Sequence, residues 1–135
     1  MAKPQRLTYF KTPLEDKPGA LLAVAKDLKA KNIGLIALWG YSTSPGLAEL
    51  LVFPKNPDKF RKAWKDSGRA LEEATGFFLK GGDKTGALVK GLEATAHAGI
   101  NLNAMAVVAV GGKYGGILWV KAEDVEKTAE VLDAK

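Results

Sequence analysis

Two loops of this chain hold residues suited to gripping a small charged ligand: Asp16-Lys17-Pro18-Gly19-Ala20-Leu21 and Asp83-Lys84-Thr85-Gly86-Ala87-Leu88. Gly19 and Gly86 let the backbone turn tightly and let a ligand approach it closely. A helix beginning just after each glycine would present free N–H groups and a positive dipole end, which suit a carboxylate or phosphate. Asp16 or Asp83 beside that end can pair with an ammonium group. A zwitterion such as an amino acid satisfies both charges. The plainer alternative is that the glycines only shape a strand-to-helix turn.

Catalytic chemistry finds little support. The chain has no cysteine, which excludes disulfides, thiolate metal sites and Cys nucleophiles. Its single histidine, His97, falls late in a helical segment, and no Ser-His-Asp set assembles around it. One histidine cannot form a His cluster for a metal, and no spaced carboxylate set appears. Gly111-Gly112-Lys113-Tyr114-Gly115-Gly116 lacks the Lys-Ser/Thr ending of a phosphate loop and reads as a hairpin turn. No catalytic residue, metal or cofactor is therefore expected. Trp39, Trp64 and Trp119 are expected in the core.

The elements that would position the two loops repeat. Residues 5–11 read as a strand, 12–19 as a loop punctuated by two prolines and a glycine, and 20–31 as a helix with Leu21, Ala25 and Leu28 on its inner face and Leu22 beside them. Strands follow at 35–41 and 47–53, joined by the turn cluster Ser42-Thr43-Ser44-Pro45-Gly46. Asn56-Pro57 suits a helix start, and Phe60 and Trp64 mark its buried face. The second half reads as strand 75–81, helix 87–98, strands 101–110 and 117–121, and helix 123–134 with Val125, Ala129 and Leu132 inward. Sliding the chain 67 residues along itself lays Asp16-Lys17-Pro18-Gly19-Ala20-Leu21 on Asp83-Lys84-Thr85-Gly86-Ala87-Leu88 and Ile33-Gly34-Leu35 on Ile100-Asn101-Leu102. That is a duplication rather than a solenoid array.

The fold class implied is α+β: tandem ferredoxin-like βαββα(β) sandwiches, antiparallel sheets with helices on one face, as units 1–68 and 69–135. The fourth strand of each unit is weak or missing, residues 70–74 being the first half's only candidate. Open sheet edges are normally covered by pairing, so the units are expected to join their sheets and the chain to form a homodimer.

This doubled D-K-x-G-A-L, helix and Gly-Leu or Gly-Ile-Asn-Leu pattern resembles the ACT-domain family, small regulatory modules that usually bind amino acids. The resemblance covers nearly the whole chain, twice. It implies ligand sites at interfaces between paired domains, built from the strand-1/helix-1 loop and the start of strand 2. Carried over by position, it points to Asp83, Gly86, Ala87, Leu88, Asn101 and Asn103 in the second unit and to Asp16, Gly19, Ala20 and Leu21 in the first. Asn101 matches the family's Gly-Ile-Asn turn; its counterpart Gly34 offers only backbone, which makes the second loop the better-equipped one. Asn101 could equally be a turn residue tolerating an unusual backbone angle.

The net charge of +5 is uneven: residues 1–67 carry twelve Lys/Arg against six Asp/Glu. The excess sits on Lys26, Lys29, Lys31, Lys55, Lys59, Arg61, Lys62 and Lys65. It reads either as a solvated helix surface or as a nucleic-acid-binding face. The expectation is thus a cytoplasmic, membrane-free regulatory sensor without catalysis, which binds an amino acid and acts on a partner protein. The alternative is a nucleic-acid-binding ferredoxin-like protein using the basic half.

Overall fold

A computed structural model of the chain describes residues 4–68 and 71–134. Strand β1 (Gln5–Glu15), helix α1 (Ala20–Ala30), strands β2 (Leu35–Ser44) and β3 (Leu47–Pro54) and helix α2 (Pro57–Lys65) come first. The same order returns as β4 (Glu72–Gly82), α3 (Val89–His97), β5 (Ala104–Val110), β6 (Lys113–Trp119) and, after a 3₁₀ turn, α4 (Val125–Leu132). The class is α+β with antiparallel strand pairs, as expected. The chain groups into two compact units: Thr8–Ala74, and residues 75–134 with the start of β1 through Leu7.

In the first unit β3 pairs antiparallel with both β1 and β2. Alternation along these strands turns Phe10, Leu50 and Val52 to one face, where they pack with Val24 and Leu28 of α1 and Phe60 and Trp64 of α2. The helix α2 follows from local chemistry. Asn56 Oδ1 accepts the Lys59 N–H at 3.1 Å and Pro57 occupies the first turn, where its missing N–H costs nothing. Phe60 stacks on Trp64 with ring centroids 4.8 Å apart and lies 4.7 Å from Phe10. Arg61, on the same helix, sits 5.6 Å over the Phe10 ring and grips Glu73 with two N–H groups. Glu73 belongs to the opening residues of β4, which group with this unit, so part of the segment considered for a fourth strand is extended. Ala70 lies outside the described residues.

In the second unit β6 pairs antiparallel with β4 and β5. Phe77, Leu118 and Val120 meet Ala129 and Leu132 of α4, with Ala94, Met105 and Val125 packed around them. Arg6, from the start of β1, makes a two-pronged pair with Glu126 of α4 at 2.9 Å.

Several local expectations change. The strand at the N-terminus runs on to Glu15, and Pro13 lies opposite Glu49 in it instead of opening a loop. A proline is compatible with a strand wherever its N–H is not needed by the ladder. The buried face of α1 is Val24 and Leu28; Leu21 and Leu22 are exposed, because the helix starts beyond the edge of the core. Of the glycine run only Gly111-Gly112 turns, and Gly115 and Gly116 are strand residues. A Cβ at Gly116 would stand 2.7 Å from the Ala106 carbonyl oxygen, so close strand approach is the reason for that glycine. Helix α3 begins at Val89, which leaves Ala87 and Leu88 in the preceding turn. Trp64 and Trp119 are buried, but Trp39 is 45% exposed.

Candidate ligand-binding site

Each loop is closed by the hairpin of its own unit. The Asp16 N–H donates to Gly46 O at 3.1 Å, and the Asp83 N–H donates to Gly112 O at 3.0 Å. Gly19 (φ 88°) and Gly86 (φ 79°) both take the left-handed conformation that favours glycine. In each unit the carboxylate-bearing loop therefore hands over to a helix start whose first N–H groups have no acceptor within the helix.

The first loop is internally satisfied. The Ser42 hydroxyl donates to Asp16 Oδ2 at 2.6 Å, and Lys17 pairs with Glu15 at 2.6 Å. That pairing, chiefly through its hydrogen bond, holds the Glu15 carboxyl below its ordinary range and raises Lys17. Tyr41 donates to Glu49 Oε1 at 2.6 Å; this hydrogen bond, with burial and the Glu49 charge, pushes the phenol up to about 12. A cavity of about 310 Å³ lies here, lined by Asp16, Ala20, Leu21, Tyr41 and Ser42 among others, with its carboxylate already engaged.

The second loop is built otherwise. The Asp83 side chain is exposed and has no hydrogen bond or ion pair among the described residues. Strand register explains why. Ser42 lies opposite Ala48, which lies opposite Leu14; the matching row in the second unit is Ala109, Tyr114 and Gly81. Where the first unit has the Ser42 hydroxyl, the second has the methyl of Ala109. Where the first packs Leu14 beside Ala48, the second sets Tyr114 beside a glycine. A Cβ on Gly81 would stand 2.9 Å from Tyr114 Cε1 and 3.2 Å from its hydroxyl, so only glycine leaves room for the ring as placed. Tyr114 is 6% exposed, and its hydroxyl is buried with no hydrogen-bond partner.

Three cavities border Tyr114, two of them at the Asp83–Leu88 loop. One, of about 350 Å³, is lined by Gly82, Lys84, Thr85, Gly86, Ala87 and Tyr114. The other, of about 330 Å³, runs between the start of α3 and β5, past Asp83, Leu88, Leu92, Val107 and Ala109. A wider hollow of about 630 Å³ involves Phe78, Lys80, Val108, Val110 and Lys113. It touches the Asp83–Leu88 loop nowhere and is a dent in the strands above Gly115.

The structure thus gathers Asp83, Gly86, Ala87 and Leu88 around one pair of cavities, and Asp16, Ala20 and Leu21 around another, with Gly19 capping α1. It does not bring Asn101 and Asn103 to either. Both are exposed, in the connection between α3 and β5 at the far end of the helix from Asp83. A nine-residue helix places about 13 Å between its ends. Nor is Asn101 in the left-handed conformation considered for it; Asn32 and Gly99 take that role at the two helix exits, with φ 55° and 71°.

The structure adds two residues that pattern reading passed over. Ser42 was absorbed into a turn cluster, and Tyr114 into a glycine run. The signal available for Tyr114 was an aromatic residue flanked by glycines on its own strand and facing another glycine across the hairpin.

Among the described residues no group of three His, Cys, Asp or Glu could hold a metal, and no helix is long and apolar enough to cross a membrane. His97 is exposed at the end of α3. The basic side chains are partly spent: Lys31 pairs with Asp27 at 3.0 Å, Lys59 caps Asn32 O at 2.7 Å, and Arg61 is held by Asp58 and Glu73.

The fold and site together define an α+β protein with a twice-repeated βαββα order and a ligand-sized cleft at a strand-to-helix loop. Among solved structures, the chain is similar to protein BT0572 from Bacteroides thetaiotaomicron, with 25% identity and a TM-score of 0.82 over 96% of this chain and 88% of that one. It is similar in fold to the ligand-free regulatory subunit of aspartate kinase from Thermus thermophilus, at 15% identity and a TM-score of 0.63 over 96% and 91% of the two chains. Aspartokinase alpha and beta subunits give 14% identity and 0.62 over 97% and 95%. No protein-family model and no curated protein sequence matches the chain.

Proposed function

We propose that the protein is a non-catalytic regulatory module of two ACT-like, ferredoxin-like units, and that it binds a free α-amino acid at the Asp83–Leu88 loop of the second unit. The observation that carries this reading is the contrast between the two aspartates. Asp16 is tied to Ser42 at 2.6 Å, whereas the second unit has Ala109 at the register position of Ser42 and the Asp83 carboxylate stays available. The ligand's ammonium group pairs with Asp83, and its carboxylate takes the N–H groups at the start of α3. The Asp16, Gly19, Ala20 and Leu21 loop then serves as scaffold. The likeness in fold to aspartate kinase regulatory subunits supports a regulatory role for this chain.

Such a module acts through partners. Strand β5 pairs only with β6 among the strand pairings of its unit, and Val107, Val108 and Val110 are 40%, 62% and 73% exposed. An apolar edge strand of this kind invites pairing, and a homodimer is the proposed state. Asn101 and Asn103 reach a ligand in this reading only across that interface, from the second copy.

Calorimetric titration of the chain with each of the twenty amino acids tests the reading. Binding of at least one, with one ligand per chain, is expected, and Asp83→Asn should weaken it far more than Asp16→Asn. No heat with any of them, or loss of binding on Asp16→Asn alone, would remove it.

A further inference from the structure

Tyr114 is the one polar group of the second cleft whose burial costs energy without a return inside the protein. Its hydroxyl is withdrawn from solvent and makes no hydrogen bond. Buried polar groups are normally paired, and one left alone in a cleft points to what the cleft takes in. The surroundings fix the kind of partner. In the cavity beside the loop, Tyr114 stands among Lys84, Thr85, Gly86 and Ala87. The groups there are an ammonium, two hydroxyls and the backbone of the turn before α3, and no carboxylate contributes to the lining. That is a donor-rich corner suited to an anion. The adjoining cavity shares Lys84, Gly86, Ala87 and Tyr114 with it and is otherwise lined by Asp83, Leu88, Val89, Leu92, Val107 and Ala109. Its apolar side chains suit a short aliphatic chain, with a cation at Asp83 and the anion at the shared Lys84.

We infer that the Tyr114 hydroxyl is the specificity contact of the site: buried in the unliganded chain, it is brought into the cleft by a shift of the ring as the ligand enters and donates to the ligand's carboxylate, and the ligand is an α-amino acid with an aliphatic side chain lying between α3 and β5. This rests on the amino-acid reading given above and deepens it. The first unit lacks the arrangement, because Ala48 occupies the register position of Tyr114 and Leu14 that of Gly81. The hydroxyls that line the first unit's cavity, on Ser42 and Tyr41, are spent on Asp16 and Glu49.

The test uses the full chain, wild type and Tyr114→Phe, titrated with L-leucine, with L-leucinamide, whose carboxylate is replaced by a neutral amide, and with L-aspartate and L-lysine. Unliganded thermal unfolding is measured alongside. Tyr114→Phe should bind L-leucine about tenfold more weakly or worse, the usual scale for a lost hydrogen bond to a charged group. The two proteins should differ much less for L-leucinamide. The unliganded variant should be at least as thermostable as wild type, since phenylalanine keeps the ring and removes the unpaired hydroxyl. Unchanged affinity for L-leucine in Tyr114→Phe, with Asp83→Asn still weakening it, would overturn the role of Tyr114 and leave the amino-acid site standing. A fall in both affinity and unliganded stability would also overturn it, by showing a structural role. Binding of L-aspartate or L-lysine in preference to L-leucine would overturn the aliphatic class. No binding of any amino acid would remove the underlying reading as well.

Discussion

Replacing Gly81 by alanine tests whether the register really trades a side chain on β4 for the ring of Tyr114. The added Cβ would stand 2.9 Å from Cε1, 3.2 Å from the hydroxyl and 3.3 Å from Cζ of Tyr114. Carbon pairs prefer about 3.5–4.0 Å, so the ring must retreat by more than half an ångström from a buried position. Overpacking of this size costs about 1–3 kcal/mol. Against it stands a gain of about 0.5–1 kcal/mol for replacing glycine in a strand, because Gly81 does not use the left-handed conformation. Gly81→Ala should therefore destabilise the wild type by about 1–2 kcal/mol. In a Tyr114→Ala background, which is itself less stable by about 3 kcal/mol, the clash is gone and the same substitution should stabilise by about 0.5 kcal/mol. Urea unfolding of the four proteins gives the coupling directly, expected at about 1.5–2.5 kcal/mol. If Gly81→Ala changes stability equally in both backgrounds, within about 0.5 kcal/mol, the two positions do not share space and the exchange argument fails.

Asn56→Ala should cost about 1 kcal/mol, because it removes the acceptor of the Lys59 N–H at the start of α2, whereas Asn56→Gly should cost only a few tenths; thermal unfolding distinguishes them. Tyr41 supplies a test by pH. Its folded-state value, about 12, lies above the ordinary phenol value of about 10, so its contribution to stability is complete below about pH 10 and is lost as pH rises towards 12. Tyr41→Phe should flatten that part of the alkaline stability profile and delete a phenolate that forms near pH 12 from the absorbance titration; an unaltered profile would show that the Glu49 contact does not hold in solution.

Legibility in the sequence followed the reach of each signal. Helix α2 is written locally: a cap, a proline and two aromatics four residues apart suffice, and Phe60 and Trp64 are indeed fully buried. The repeat is legible because the two loops and helix lengths coincide. The strand ends were not. Pro13 and Gly115 are residues that permit a turn, and whether the chain turns there depends on a partner strand that sequence spacing does not reveal. The inner face of α1 was misjudged for a related reason: Leu21 fits the helical period, but it sits one turn outside the core and lines the cleft instead. The loops of the candidate site were visible as Gly-Ala-Leu turns. Ser42 and Tyr114 were not, because they enter from the hairpin, where a register shift between Ser42 and Ser44 breaks the constant offset between the copies. Past that bulge Tyr114 corresponds to Ala48, whereas the simple 67-residue slide lays it on Leu47.

That one-residue slip is where the two halves diverge. Both units spend one large and one small side chain on the row beside the loop, Leu14 with Ala48 in one and Tyr114 with Gly81 in the other, so the row stays filled while the large residue changes strand. Moving bulk from the first strand of a unit to its hairpin also moves the row's hydroxyl. On Ser42 it reaches the loop aspartate and occupies one of its oxygens; on Tyr114 it is buried in the strand row, and Asp83 is left unpaired. A core that must remain packed has thereby room for two opposite electrostatic outcomes at matching places, one loop closed on itself and one open to a zwitterion. The duplication supplies the scaffold twice, and it is the packing exchange, more than the loops themselves, that separates the two copies chemically.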